Sequence, residues 1–230
     1  MVLLARWKLN EDPASHGSTL SDSSENSYDM TLYTNDGTTN KSVTGKYDKA
    51  IDFDGVNDYA KVTTQIVNNP TALTVCGWFK KESGGSTYEC VLHHGTTNTI
   101  GSTAYWFGVD LNDDLCATIG ANTSGGSWSM GLTTTRVTYG TWYHLMAIWD
   151  GSVVKVYINN VYNKQYNLTS YTNINFPTRI GASSDGSHYQ LRGAVEDVRI
   201  YNHALSESER QEVYDYGLNI VGPFPTFRRG

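Results

Sequence analysis

Glu196 and Asp197 stand side by side in GAVEDVRIYN, residues 193–202, inside an otherwise apolar stretch. Two carboxylates can act as acid and nucleophile on a glycosidic bond when they lie about 5–5.5 Å apart. They must then share a face, and successive side chains of a strand point to opposite faces. Adjacency therefore argues against a catalytic pair. The 6 histidines are scattered without the spacing of a catalytic zinc site, and no Gly-x-Ser-x-Gly elbow occurs. His93–His94 reads as a loop doublet, and His144 as a satisfied histidine within a strand. These patterns predict a protein that is not an enzyme.

Oxygen donors cluster elsewhere. The loop SDSSEN, residues 21–26, sets Asp22, Ser24 and Asn26 at alternating positions. Calcium takes about six to eight such oxygens, commonly from loops; an Asx turn made by Asp22 is the alternative. Asp110, Asp113 and Asp114 form a second acidic turn, read as a solvated hairpin loop. Sugar sites combine an aromatic platform with a few directed polar groups. The aromatic residues expected outside the core are Trp128, in the Gly-rich SGGSWS, with Tyr88, Tyr105 and Trp106; His93 and Asn112 supply polar groups. Trp128 would serve equally well as a cap on the end of the fold. Exposed tyrosine and tryptophan also suit a protein interface.

The elements that must position these groups are strands. Charged residues make up 17% of the chain, below the roughly 25% of ordinary soluble domains, while Tyr, Thr and Gly are abundant. That mixture favours strands and turns. TWYHLMAIWDGSVVKVYINNVYNKQYNL gives strand, Asp150-Gly151, strand, Asn159-Asn160, strand, a meander of two tight hairpins. One helix is expected near residues 207–215: Ser206 and Glu209 form a capping box, and Gly217 supplies a stop. The expected architecture is all-β, a two-sheet antiparallel jelly-roll sandwich of about five to seven strands per sheet with one short C-terminal helix. Its inner faces are expected to bury Phe53, Trp78, Phe79, Trp142, Ile148 and Val156. Residues 1–221 form the domain and 222–230 an extended tail. Cys76 reads as a small buried hydrophobe, with a Cys90–Cys116 or Cys76–Cys90 bridge left open. The net charge of −6 and the absence of a basic stripe argue against nucleic acid. No apolar run approaches the ~20 residues of a membrane span, and the start MVLLARWKLN is too quickly polar for a signal peptide.

Five segments in order, DSSENSYDMTL, AIDFDGVNDYAKV, LTVCGWFKK, TWYHLMAIWDGSVVKVYINN and LRGAVEDVRIYNHALSESERQEVY, resemble the laminin G-like domains of the concanavalin A-like lectin/glucanase superfamily. One residue departs from that pattern: Glu25 stands where glycine is usual in the first loop. Retaining glycosidases of the superfamily carry Glu-x-Asp-x-x-Glu on one strand, a triplet missing here. The resemblance implies a structural calcium near the first loop, reached by the acidic residue of the EDVRIY strand, and thus Asp197 as a ligand shared with Asp22. It implies a non-catalytic module that binds glycan or a protein surface. The rival reading is a decoration, fibre or adhesion component of a virus particle or other large assembly, with a homo-oligomer as its natural form. Either reading places the protein on an extracellular surface or a virion.

Overall fold

Alternating apolar residues become strands here because each sheet buries one face against the other. The computed structural model describes residues 2–37, 39–85, 88–95, 103–120, 131–171, 173–183, 186 and 188–216. It forms two antiparallel sheets of eight strands each. That exceeds the expected five to seven, because very short edge strands join each sheet. Sheet A runs in the order β14 (Val161–Asn167), β13 (Val153–Ile158), β12 (Trp142–Trp149), β7 (Leu73–Lys81), β16 (Arg192–Tyr201), β5 (Lys49–Asp54) and β4 (Ser42–Thr44), and β1 (Leu3–Trp7) also pairs with β16. Sheet B runs β11 (Leu132–Arg136), β10 (Asp114–Ile119), β9 (Thr103–Val109), β8 (Glu89–Gly95), β15 (Thr178–Ile180), β6 (Tyr59–Val62), β3 (Met30–Tyr33) and β2 (Thr19–Leu20).

Between the sheets lie the fully buried Trp7, Phe53, Phe79, Tyr105 and Phe107. Each such side chain contributes about 1.5–3 kcal/mol by leaving water. The hairpin at Asn159-Asn160 has left-handed backbone at both residues, φ 49° and 66°, the geometry that matches strand twist in a two-residue loop. None of the three cysteines is bridged and all are buried. Cys90 and Cys116 both pair with Gly108 of β9, one on each side, so a strand lies between them.

Strand β16 is divided by a bulge. Its first half, Arg192–Val195, pairs with β5, and its second half, Val198–Tyr201, pairs with β1. On the other side, against β7, the register slips between Glu196 and Arg199. Asp197 occupies the bulge with φ 52°, and its N–H donates to the Lys8 carbonyl at 3.1 Å.

The helix, α1 (Glu207–Asp215), lies where the capping box placed it: Ser206 N–H donates to Glu209 at 2.7 Å, and Glu209 N–H to the Ser206 hydroxyl at 3.4 Å. Leu205 and Val213 pack on Cys76, Met146, Ile148 and Tyr201, forming a second apolar cluster on the outer face of sheet A. Ile148 therefore faces outward beneath the helix. So does Trp78, which stacks on Tyr214 at 5.3 Å. Trp142, in register with Lys80, shares that outer face and is half-buried. The expectation that these three line the inner core fails because the helix covers part of the outer face, and a strand buried on both faces loses its alternation. Among the described residues no helix is long and apolar enough to cross a membrane.

Candidate functional site

The register of sheet B aligns one residue from each of six strands on its outer face. Thr31 (β3) pairs with Lys61 (β6), Lys61 with Arg179 (β15), Arg179 with His93 (β8), His93 with Trp106 (β9), and Trp106 with Thr118 (β10). Their sequence neighbours Leu32, Ala60, Ile180, Leu92, Phe107 and Ala117 fill the core, which fixes the row on the opposite side.

One end of the row is covered and the other is more open. Trp106 and His93 are only 6% and 5% exposed. Trp106 packs with Cys90, Cys116, Leu132 and Tyr189, and its indole N–H donates to the Cys90 sulfur. Tyr189 belongs to the segment joining β15 to β16. The same segment lays Gly186 on the Tyr59 ring, where a Cβ would stand 2.8 Å from Cε1 at a φ of +73°, so glycine alone fits. Tyr88 meets Tyr189 edge-on at 5.5 Å. At the other end Thr31, Tyr33, Tyr59 and Lys61 are half-buried. Tyr33 and Tyr59 stack at 4.9 Å with 14° between their planes, and Lys61 Nζ lies 4.8 Å from the Tyr33 ring centroid. The row and its flanking rings offer donors and aromatic faces, and none of the six row residues is a carboxylate.

Of the expected ligand residues, the structure brings His93 and Trp106 together and places Tyr88 beside their cover. Tyr105 is corrected: it points into the core, is 0% exposed, stacks on His94 at 5.0 Å and shares a 2.9 Å hydrogen bond with Thr178. Being next to Trp106 on a strand puts it on the other face. Asn112 lies in the Asp110–Asp114 turn, where its N–H donates to Asp110 at 2.8 Å. Trp128 and the 222–230 tail lie outside the described residues. Sequence reading missed Tyr33, Tyr59, Lys61 and Arg179; their outward phase on β3, β6 and β15 was the available signal.

On the outer face of sheet A the two carboxylates of the opening question both find partners inside the chain. Glu196 accepts from the backbone N–H groups of Lys46, Tyr47 and Asp48, the latter two at 3.2 Å. Burial pushes its pKa up, with those amides opposing. Asp197 accepts from Arg6 Nε at 2.7 Å and from Arg199 Nη2 at 2.5 Å. Burial opposes its ionisation, but the Arg199 and Arg6 guanidinium groups prevail and hold its carboxyl below the usual range. The bulge turns Asp197 toward the side of Arg199 and Arg6, so the expectation of opposite faces does not hold. The two carboxylates take separate sets of partners.

The expected calcium ligands all take partners within the chain. Asp22 Oδ1 accepts from the N–H of Arg6 and of Ser24, and Oδ2 from the Ser24 hydroxyl and Tyr28 N–H, all within 2.6–2.9 Å. Four donors use the about four lone-pair sites of a carboxylate. The Asn26 amide donates to the Leu4 carbonyl at 2.9 Å. Among the described residues no group of three or more His, Cys, Asp or Glu side chains is placed to hold a metal.

Solved structures share this sandwich at low identity. Domain 4 of AbnA, a GH43 extracellular arabinanase from Geobacillus stearothermophilus solved with arabinotriose, has a TM-score of 0.65 and 20% identity over 93% of this chain and 98% of that one. The binding domain of Paraclostridial Mosquitocidal Protein 1 gives 0.68 and 16%, over 95% of this chain and 53% of that one. Trypanosoma rangeli sialidase gives 0.63 and 15%, and this chain spans only 33% of its length. No curated protein matches. Residues 54–209, from the end of β5 into α1, match the family described as the concanavalin A-like lectin/glucanases superfamily, and to that family the chain belongs.

Proposed function

We propose that this protein is a non-catalytic recognition domain that binds an oligosaccharide on the outer face of sheet B. The observation that carries the reading is the half-buried end of the row, Thr31 and Lys61, beside the stacked Tyr33–Tyr59 pair. Aromatic faces supply apolar area for a sugar ring, and Lys61 and Thr31 supply directed polar contacts. The full-length likeness to an arabinanase domain solved with arabinotriose supports the class of ligand. It also supports an extracellular setting, the one named for that arabinanase.

Calorimetric titration with arabinotriose and a panel of neutral oligosaccharides tests the reading. Tyr59→Ala and Lys61→Ala should each weaken binding about tenfold, near 1.4 kcal/mol, while the melting temperature stays close to wild type. Unchanged affinity in both variants, or no binding by any sugar in the panel, would overturn it.

A further inference from the structure

The first loop, the β16 bulge and the end of α1 meet at Arg6. Its backbone N–H donates to Asp22 at 2.9 Å and its Nε to Asp197 at 2.7 Å. One residue therefore bridges the two carboxylates that were expected to share a calcium ion. Its guanidinium lies 4.0 Å from the centroid of the Tyr216 ring, just past α1, and that of Arg199 lies 4.7 Å from the same ring. The first loop is bound to β1 at further points: the Ser24 hydroxyl meets the Leu4 carbonyl at 3.0 Å, and Trp7 Nε1 donates to the Tyr28 carbonyl at 2.8 Å.

We infer that Arg6 supplies from within the chain the positive charge that joins these three elements, so that the domain holds this junction without calcium. The charges decide it. Asp22 and Asp197 together carry two negative charges against the two guanidinium groups of Arg6 and Arg199, so the charges of the junction already balance. A divalent cation would leave an uncompensated positive charge beside two guanidinium groups, and like charges repel strongly at such distances. A planar guanidinium also suits the place better than a spherical ion. It meets a carboxylate edge-on while presenting its face to an aromatic ring, and both contacts are made here. The inference is independent of what sheet B binds.

The test uses the whole chain. The melting temperature is measured in excess chelator and in millimolar calcium, and terbium luminescence is titrated as a direct probe of a calcium-type site. Wild type should melt at the same temperature in both solutions and show no saturable terbium signal. Arg6→Ala should melt about 5 °C or more lower, and Arg6→Lys should recover only part of the loss, since an ammonium lacks the planar fork. A chelator-sensitive wild type whose sensitivity disappears in Asp22→Asn or Asp197→Asn would overturn the inference. An Arg6→Ala variant as stable as wild type would do so too. Should Arg6→Ala fail to fold, the wild-type and Arg6→Lys measurements still decide.

Discussion

The outer face of sheet A carries Arg6, Glu196, Asp197 and Arg199, and each of these charges ends on a partner within the chain. The outer face of sheet B also carries polar and charged side chains in register, but at its half-buried end they stand beside stacked rings, with Lys61 lying over Tyr33. The two faces differ in what lies over them. Sheet A receives α1, with Leu205 and Val213 in an apolar cluster and Tyr214 on Trp78. Among the described residues, sheet B receives the segment around Gly186 and Tyr189, which reaches Tyr59 and Trp106. A charged group under a packed helix must be neutralised internally or it destabilises the fold. A half-exposed one can keep its capacity for a ligand. The same sheet architecture thus yields one face closed by its own partners and, on the proposed reading, one that recognises a ligand.

The largest effect should come from breaking the closed face. Asp197→Ala leaves Arg199, 5% exposed, without its buried counter-charge. Removing one partner of such a pair typically costs about 3–5 kcal/mol, equivalent to roughly 6–20 °C in a chain of this size. Thermal and urea denaturation would measure it, and sugar affinity at a temperature where the variant is folded should be unchanged. A loss of affinity in the folded variant would mean that the two faces are coupled. Next in size is Leu205→Ala, which removes a 6% exposed side chain from the apolar seam beneath α1. A loss of about 2–3 kcal/mol is expected. A much smaller loss would show that α1 is held mainly by its tyrosine rings.

What the sequence made legible follows from local chemistry. The capping box gave the helix nearly residue for residue, because Ser206 and Glu209 satisfy each other without outside help. The Asn159-Asn160 turn was readable for the same reason. Facing was harder. In β7 every residue but Lys80 is buried, so alternation could not tell Trp78 from Phe79. The bulge at Asp197 was invisible, since its left-handed backbone arises where β5 ends and β1 begins along β16, a long-range event. Arg6 was overlooked for a related reason. It lies 191 residues from Asp197, and an arginine in a short strand looks solvent-facing until the partner is known. The candidate site was half legible: His93 and Trp106 by residue type alone, since the His93–His94 doublet read as a loop lies in β8, and Tyr33, Tyr59 and Lys61 only after the register of β3 and β6 was in hand.

The smallest effect tests whether the closed face is dry. His144 packs beside the stacked Trp78 and Tyr214, 5.0 and 5.6 Å from their ring centroids. Burial, and then the charge of Arg199, push its pKa down to about 3. His94, stacked in the core on Tyr105, is pushed down to about 4 by burial. An unfolded histidine titrates near 6.5. Below that pH the unfolded chain binds protons that the native state refuses. Stability is therefore full above about pH 6.5 and is lost as pH falls toward the folded values. Between pH 7.5 and 5.5 each histidine should cost about 1.4 kcal/mol. The carboxyls raised chiefly by burial, Glu89, Glu196, Asp52 and Asp58, act in the opposite sense at lower pH. The histidine contribution is therefore read from the difference between wild type and His144→Gln in urea unfolding across that range. The gap between the two curves should shift by about 1.4 kcal/mol in favour of the variant as pH drops. A gap that stays constant would mean that His144 takes up a proton beneath the helix as readily as in water. The outer face of sheet A would then be as open to solvent as that of sheet B, and the contrast between them would fail.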